Sequence, residues 1–361
     1  MTFYKLTRAE LEIRLNWSLE QKLIHFAETY VDFYQDFDGM VYGSFSGGKD
    51  SQVGFDIIDK LHSGEFSYLL PIGLAAWIKK QPAPMKVFCN TGLEFPEIVD
   101  HVKQFPNVVI LKPKMGFTRV IKEVGVAVGS KKIAMQVARL KNYITNPSPK
   151  NEATKNLYLN GIKKDGSFSC ASKLPDKWKK LLTAPFLVSD QCCNIFKKEP
   201  FRRYEKETGR YPIVFTTVGE SSDRLASYLK TGCTSYEKGK VKCRPFSIFT
   251  DADVWEYHNR FGLRFAGVYY DRTQPVEQLD GSFQIETLPA ETRTGCTFCM
   301  FGLHLEDKSK NNRIQRLGIS HPKYYDVIIN KCGLGIVLLY LKIPFKPKRS
   351  CSQMGLFGYA N

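Results

Sequence analysis

The stretch Val41-Tyr42-Gly43-Ser44-Phe45-Ser46-Gly47-Gly48-Lys49-Asp50-Ser51 limits what this chain can fold into more than any other. Apolar, β-favouring residues run into a small, hydroxyl-rich loop, and residues 50–61 follow with helical apolar spacing at Val53, Phe55, Ile57, Ile58 and Leu61. A strand, a Gly/Ser turn and a helix N-terminus together make an anion cradle. Glycines let backbone N–H groups approach a ligand, and the helix dipole favours negative charge there. The spacing from Gly43 to Lys49 also fits a Walker A loop, but Asp50 stands where that loop needs a Mg²⁺-binding Ser or Thr. An ordinary kinase or GTPase is therefore disfavoured.

Strand-like and helix-like segments alternate after the loop. Residues 66–80 read as a helix, residues 86–89 as a buried strand, Val108–Leu111 as a third strand and residues 213–217 as a later one. This alternation predicts an α/β fold with a doubly wound, mainly parallel sheet, its ligand beyond the strand C-termini. Residues 7–37 read as one or two amphipathic helices, residues 131–180 as a polar, basic, irregular insertion, and residues 267–290 as a long loop or hairpin. The expected organisation is an N-terminal helical segment (1–38), a nucleotide-binding α/β domain (39–265) and a C-terminal region (266–361) that completes a metal site and adds helices.

Ten cysteines point to metal or redox chemistry. Cys192-Cys193 and Cys296-Thr297-Phe298-Cys299 form two pairs distant in sequence, enough for four thiolate ligands. Adjacent cysteines diverge and suit the reach of a four-iron cluster better than a single zinc ion, although zinc stays open. The formal net charge of +16 favours polyanionic partners, nucleic acid first. No signal-peptide pattern is read at the N-terminus, and the apolar run Leu334–Leu341 is too short to span a bilayer. A cytoplasmic protein with no membrane association is expected, and its oligomeric state is not readable.

Ser46-Gly47-Gly48-Lys49-Asp50-Ser51 resembles the pyrophosphate-loop signature of the ATP pyrophosphatase superfamily. Cys192-Cys193 with Lys197-Lys198-Glu199-Pro200, then Cys296-x-x-Cys299, is similar to the four-cysteine pattern of [4Fe-4S] adenylyl-sulfate reductases, in the phosphoadenosine phosphosulfate (PAPS) reductase family. Asn90-Thr91-Gly92-Leu93-Glu94 looks like that family's second motif, with Asn where many members have Asp. Gly219-Glu220-Ser221 with Arg224 looks like a later nucleotide-site motif, and Arg293-Thr294-Gly295 is similar as well. The resemblance implies the adenine nucleotide alpha hydrolase-like fold. It also implies a site in which Ser44, Ser46, Gly47, Gly48, Lys49, Asp50, Ser51, Asn90, Thr91, Gly92, Glu94, Gly219, Glu220, Ser221 and Arg224 bind ATP with Mg²⁺. Lys49 and Asp50 carry the chemistry, and Cys192, Cys193, Cys296 and Cys299 hold a [4Fe-4S] cluster.

Three activities follow from that resemblance. The first is ATP activation for sulfur transfer onto nucleic acid, as in DNA phosphorothioation or tRNA thiolation, with a sulfur donor such as a cysteine desulfurase. The second is reduction of a sulfonucleotide to sulfite, which needs a mobile C-terminal thiol; Cys332 and Cys351 are the candidates. The third is a non-catalytic nucleotide- and nucleic-acid-binding subunit. The basic surplus and the partial match of the C-terminal thiols favour the first.

Overall fold

The structure, a computed structural model, describes residues 6–277 and 282–348. Two helices open the chain, α1 (Arg8–Leu15) and α2 (Leu19–Asp36), each started by a reciprocal capping box, Thr7 with Glu10 and Ser18 with Gln21. Strand β1 (Val41–Ser44) leads into α3 (Lys49–Ser63), and β2 (Met85–Cys89) and β3 (Val108–Leu111) follow. Short β4 (Val128–Gly129) precedes the insertion, and β5 (Tyr211–Val214), β6 (Thr234–Ser235) and β7 (Lys242–Cys243) complete the main sheet. The hairpin β8 (Arg272–Glu277) and β9 (Phe283–Leu288) and short β10 (Met300–Phe301) come last.

The six-stranded sheet has the order β3-β2-β1-β5-β7-β6, parallel except for the antiparallel edge strand β6. The α/β expectation holds. β1 pairs β2 on one side and β5 on the other, so the chain reverses its winding at the β1/β5 boundary, and the loops after these two strands diverge around a crevice.

Both sheet faces are covered. On one, Tyr42 and Val87 meet the helix Glu199–Thr208, with Tyr42 stacked on Phe201 at 6.0 Å and edge-on to Tyr204 at 5.1 Å. On the other, α2, α3 and the helix Asp251–Phe261 bury Phe26, Phe55, Phe215, Phe246 and Tyr257. Each such side chain contributes about 1.5–3 kcal/mol of apolar burial.

Several local readings change. Residues 66–80 are a 3-10 turn (Ser67–Leu69) and a separate helix (Ile72–Ile78), divided by Pro71. The insertion is not irregular: it opens with the helix Lys131–Thr145, which buries Ile133, Ala134, Gln136, Val137 and Leu140 and presents its basic side chains outward. The run 213–217 is a strand only to Val214, because the chain then turns into the crevice. Among the described residues no single helix is long and apolar enough to cross a membrane; Pro322–Lys331 and Leu334–Leu341 are bent by 77° to each other.

Two glycines set the distance between α3 and the sheet. A Cβ on Gly43 would stand 2.1 Å from Phe55 Cζ, and one on Gly54 would stand 2.1 Å from Phe215 Cδ1. At an exposed helix position Gly→Ala would stabilise by about 1 kcal/mol. Gly54→Ala is instead expected to destabilise by about 2 kcal/mol in urea unfolding, because the Phe215 ring is held between Phe26 and Phe55 and cannot retreat. A stabilised Gly54→Ala variant would refute this packing.

Candidate functional site

The loop after β1 closes on itself through its own hydroxyls. Ser51 Oγ accepts from the Ser46 N–H at 3.2 Å and donates to the Gly48 carbonyl at 2.9 Å, and Ser46 Oγ accepts from the Gly48 N–H at 3.2 Å. Gly47 turns with φ +70° while packed on Ile98 and Val102, a conformation and a space that fit glycine. The loop thus delivers the first turn of α3 to the crevice with Lys49 and Asp50 at its start.

Lys49 is almost buried, and its ammonium lies 2.7 Å from Asp50 Oδ1 and 2.5 Å from Asp251 Oδ1. Burial alone would lower its pKa, but Asp50 and Asp251 outweigh it and hold the amine protonated above its usual range. Burial pushes the Asp50 carboxyl up; Lys49 opposes this, and Glu220 and Asp251 add to it. The Lys49 N–H donates to the Tyr269 hydroxyl at 3.3 Å, and that hydroxyl also shares a 2.5 Å hydrogen bond with Thr294.

Around these groups lies a cavity of about 610 Å³, within the size range of small-molecule and cofactor sites. The pyrophosphate-loop stretch supplies Ser44, Ser46, Gly48, Lys49, Asp50 and Ser51, and the turn after β5 supplies Thr216, Thr217, Gly219, Glu220 and Arg224. Val214, Phe215 and Val218 add an apolar wall, and Arg293 and Thr294 close the far side. Four basic side chains (Lys49, Lys197, Arg224, Arg293) face three carboxylates (Asp50, Glu220, Asp251) there. Glu220 pairs with Arg224 and accepts from the Thr217 N–H at 3.1 Å, and Ser221 caps the helix Ser222–Thr231.

The Asn90–Glu94 turn is placed elsewhere. Glu94 is buried and spent within its own turn, accepting from the Thr91 N–H at 3.0 Å and the Thr91 hydroxyl at 2.7 Å, and Asn90 Oδ1 accepts from the Gly92 N–H at 3.0 Å. None of Asn90, Thr91, Gly92 and Glu94 lines the 610 Å³ cavity. The Leu93 carbonyl instead accepts from the N–H and hydroxyl of Thr297, at 2.9 and 3.0 Å, tying this turn to the segment that carries Cys296 and Cys299.

All four paired cysteines line one small cavity of about 50 Å³, walled by apolar groups including Phe117, Phe196, Phe298 and Met300. Lys197 lines this cavity and the larger one alike. Cys296 holds the Lys197 amine above its usual range against the effect of burial, with Glu94 and Cys193 adding. Cys192 hydrogen-bonds to Cys193, which pushes the Cys192 thiol up and the Cys193 thiol down. Among the described residues no three Cys, His, Asp or Glu side chains converge as they would around a single metal ion. Four thiols sharing a cavity without converging on one point match the donor set of a cluster better than that of one ion.

The remaining thiols stand apart. Cys89, Cys233 and Cys243 are buried, and Cys243, read from sequence as a spare sulfur-handling thiol, lies inside β7. Cys170 is exposed. Cys332 is buried, 3.4 Å from the Thr118 hydroxyl, and lines neither cavity; Cys351 lies outside the described residues.

Sequence reasoning missed Asp251 and Tyr269. Thr250-x-x-Asp253 before an apolar run is a legible capping signal for a helix start, but nothing local says that its first residue meets Lys49 about two hundred positions away. Tyr269 carries no motif at all.

No family model matches the chain, and no curated protein matches it. Among solved structures it is similar to phosphoadenylyl-sulfate (PAPS) reductase from Candida auris in its phosphate complex. The identity is 16%, the match covers 73% of this chain and 91% of that one, and the TM-score is 0.33. The α/β assignment stands on the strand order and on the β1/β5 crevice.

Asp251 and Asp253 share one helical turn but do different work. Asp253 is buried, caps Thr250 and takes the ammonium of the buried Lys22 at 2.7 Å, whereas the Asp251 side chain is 74% exposed. Asp253→Ala is expected to cost about 3 kcal/mol or more in urea unfolding, because it strands a buried cation. Asp251→Ala should stay within about 0.5 kcal/mol of wild type. Equal losses would assign Asp251 a structural role.

Proposed function

We propose that this chain is a pyrophosphate-loop ATP pyrophosphatase that activates an acceptor for sulfur transfer, with nucleic acid as the acceptor. The observation that carries the reading is Lys49, clamped between Asp50 and Asp251 at the start of α3 in a cavity of nucleotide size. The cavity lined by four cysteines next to it, with Lys197 in both walls, supports sulfur chemistry beside a phosphate site.

In this reading the ATP phosphates lie over the loop and the α3 N-terminus, where N–H groups and the helix dipole favour negative charge. The apolar wall of Val214, Phe215 and Val218 receives the base. An acceptor oxygen attacks the α-phosphorus, the bond to the β-phosphate oxygen breaks, and pyrophosphate leaves. Lys49, Arg224 and Arg293 offset the charge that develops on the phosphate oxygens. Asp50 and Asp251 are the residues that would hold Mg²⁺, which supplies further charge neutralisation. Cys192, Cys193, Cys296 and Cys299 would hold a [4Fe-4S] cluster, which when bound supplies iron for handling the incoming sulfur.

The same cavity would accept a sulfonucleotide, and the two readings part at the thiols. A reductase needs a mobile nucleophile, and the burial of Cys332 outside both cavities favours the pyrophosphatase. Pyrophosphate release from ATP, assayed with and without DNA or tRNA, tests the reading. Lys49→Ala and Asp50→Ala are expected to lower turnover at least a hundredfold with an unchanged far-UV spectrum, the scale of losing a group that stabilises transition-state charge. Near-normal turnover in both would defeat the loop assignment, and sulfite formation from adenylyl sulfate without pyrophosphate release would select the reductase.

Protein prepared without exposure to oxygen is expected to contain about four irons per chain with a cluster absorption band. One equivalent of zinc and no iron would replace the cluster with a single-ion site.

A further inference from the structure

Residues 131–180 carry twelve Lys and Arg against three Asp and Glu, a net +9 out of the chain's +16 in fifty positions. Among these, Lys155 and Lys179 pair with Glu152 and Asp176, and Lys132 and Lys141 are taken up by backbone carbonyls. Lys163 and Lys164 form no ion pair among the described residues and are exposed. They sit in a built hairpin rather than a loose turn. Ile162 bridges to Phe168, the Lys163 N–H donates to the Ser167 carbonyl at 2.9 Å, and the Gly166 N–H donates to the Lys163 carbonyl at 3.0 Å. Asp165 Oδ1 accepts from the Ser167 N–H at 2.9 Å, which pins the tip.

Phe168 is the feature that a solvated lysine turn does not explain. Its ring lies against the backbone of Gly161, where a Cβ would come within 2.7 Å of Cε2, yet the side chain is 65% exposed. The Ser169 N–H locks the hairpin base to the Gly161 carbonyl at 2.7 Å. An aromatic face is thus held in place, open to solvent, beside two unpaired ammonium groups. That combination stacks a base and contacts the phosphates next to it. The hairpin is also tied to the cysteine side of the molecule. Its base, at Ala171 and Ser172, is bonded by Lys132 and Gln136 from the first two turns of the helix Lys131–Thr145. That helix follows β4, which pairs with β10 directly after Cys299.

We propose that the hairpin at residues 162–168 is a nucleic-acid contact site, in which Phe168 stacks on an unpaired base and Lys163 and Lys164 hold the flanking phosphates. The proposal rests on the nucleic-acid acceptor of the proposed function and names the part of the chain that grips it. A base inside a duplex has no free face, so the site takes a single-stranded or looped segment.

The test is fluorescence anisotropy of the full chain with labelled oligothymidylate, oligouridylate and a DNA duplex of equal length, between about 50 and 300 mM salt. Either single strand should bind more tightly than the duplex, and the tighter of the two tells DNA from RNA. Phe168→Ala should weaken single-strand binding about tenfold with its salt dependence unchanged, and Phe168→Tyr should restore it. Replacing Lys163 and Lys164 together by Ser should reduce the slope of log K against log salt by about 1. All these side chains are exposed, so the variants should melt as wild type does. Wild-type affinity and slope in all variants would overturn the proposal. So would displacement of the oligonucleotide by polyglutamate at equal charge with Phe168→Ala silent, which would mark a surface for acidic protein. A wild type that binds no nucleic acid yet releases pyrophosphate from ATP would overturn the hairpin and the nucleic-acid acceptor while leaving the phosphate site standing.

Discussion

Everything at the crevice depends on how closely α3 lies against β1 and β5. Gly43 and Gly54 leave room for the Phe55 and Phe215 rings to fill the interface, and those rings meet at 5.0 Å. The separation of helix and sheet is therefore set by two missing methyl groups and two aromatic planes rather than by adaptable aliphatic packing. With that separation fixed, the loop between β1 and α3 has a single path. Its hydroxyls satisfy its own N–H groups, and Lys49 emerges where the chain ends of β1 and β5 part. A buried lysine would be costly alone. Here Asp50 comes from the same turn and Asp251 from a helix packed on α3, so compensation of the charge and assembly of the site are one event.

The two cavities are joined by short covalent paths. Tyr269 bridges the Lys49 N–H and the Thr294 hydroxyl, and two residues after Thr294 comes Cys296. On the other side of the sheet ends, Leu93 accepts from Thr297, and Glu94 lies near Lys197. A displacement of the loop around Lys49 would thus reach the cysteine segment through two hydrogen bonds and two peptide units. The Asn90–Glu94 turn acts as a brace for that segment, which accounts for a buried Glu whose carboxylate is turned inward on Thr91.

What the sequence made legible was local and periodic. The strand-loop-helix of residues 41–61, the parallel sheet and the pairing of Cys192-Cys193 with Cys296 and Cys299 all rest on patterns within a few residues or on ligand arithmetic, and the structure brings each together. What it hid was long-range. Asp251 and Tyr269 meet Lys49 only through tertiary packing, and the separation of Asn90–Glu94 from the larger cavity depends on where Thr297 lands. The helix Lys131–Thr145 was obscured because its exposed face is so basic that the buried stripe of Ile133, Val137 and Leu140 does not stand out in the composition.

The mismatch that first set the loop apart, Asp50 in the place of a Ser or Thr, has an electrostatic consequence. Asp50, Glu220 and Asp251 are close enough to disfavour one another's charge, and burial adds to that on Asp50. Polyphosphate arriving alone would meet three carboxylates with only Lys49 held against two of them. In the proposed pyrophosphatase reading, the ligand that such a site accepts is a metal-bound polyphosphate. A divalent cation turns the clustered carboxylates from a barrier into ligands and frees the Lys49 ammonium from Asp50 and Asp251 for the phosphate oxygens. A Ser or Thr at position 50 would hold a cation by one neutral oxygen and leave Lys49 with Asp251 alone. The aspartate couples release of the lysine to arrival of the metal, and that coupling is the physical difference between this loop and an ordinary Walker A turn.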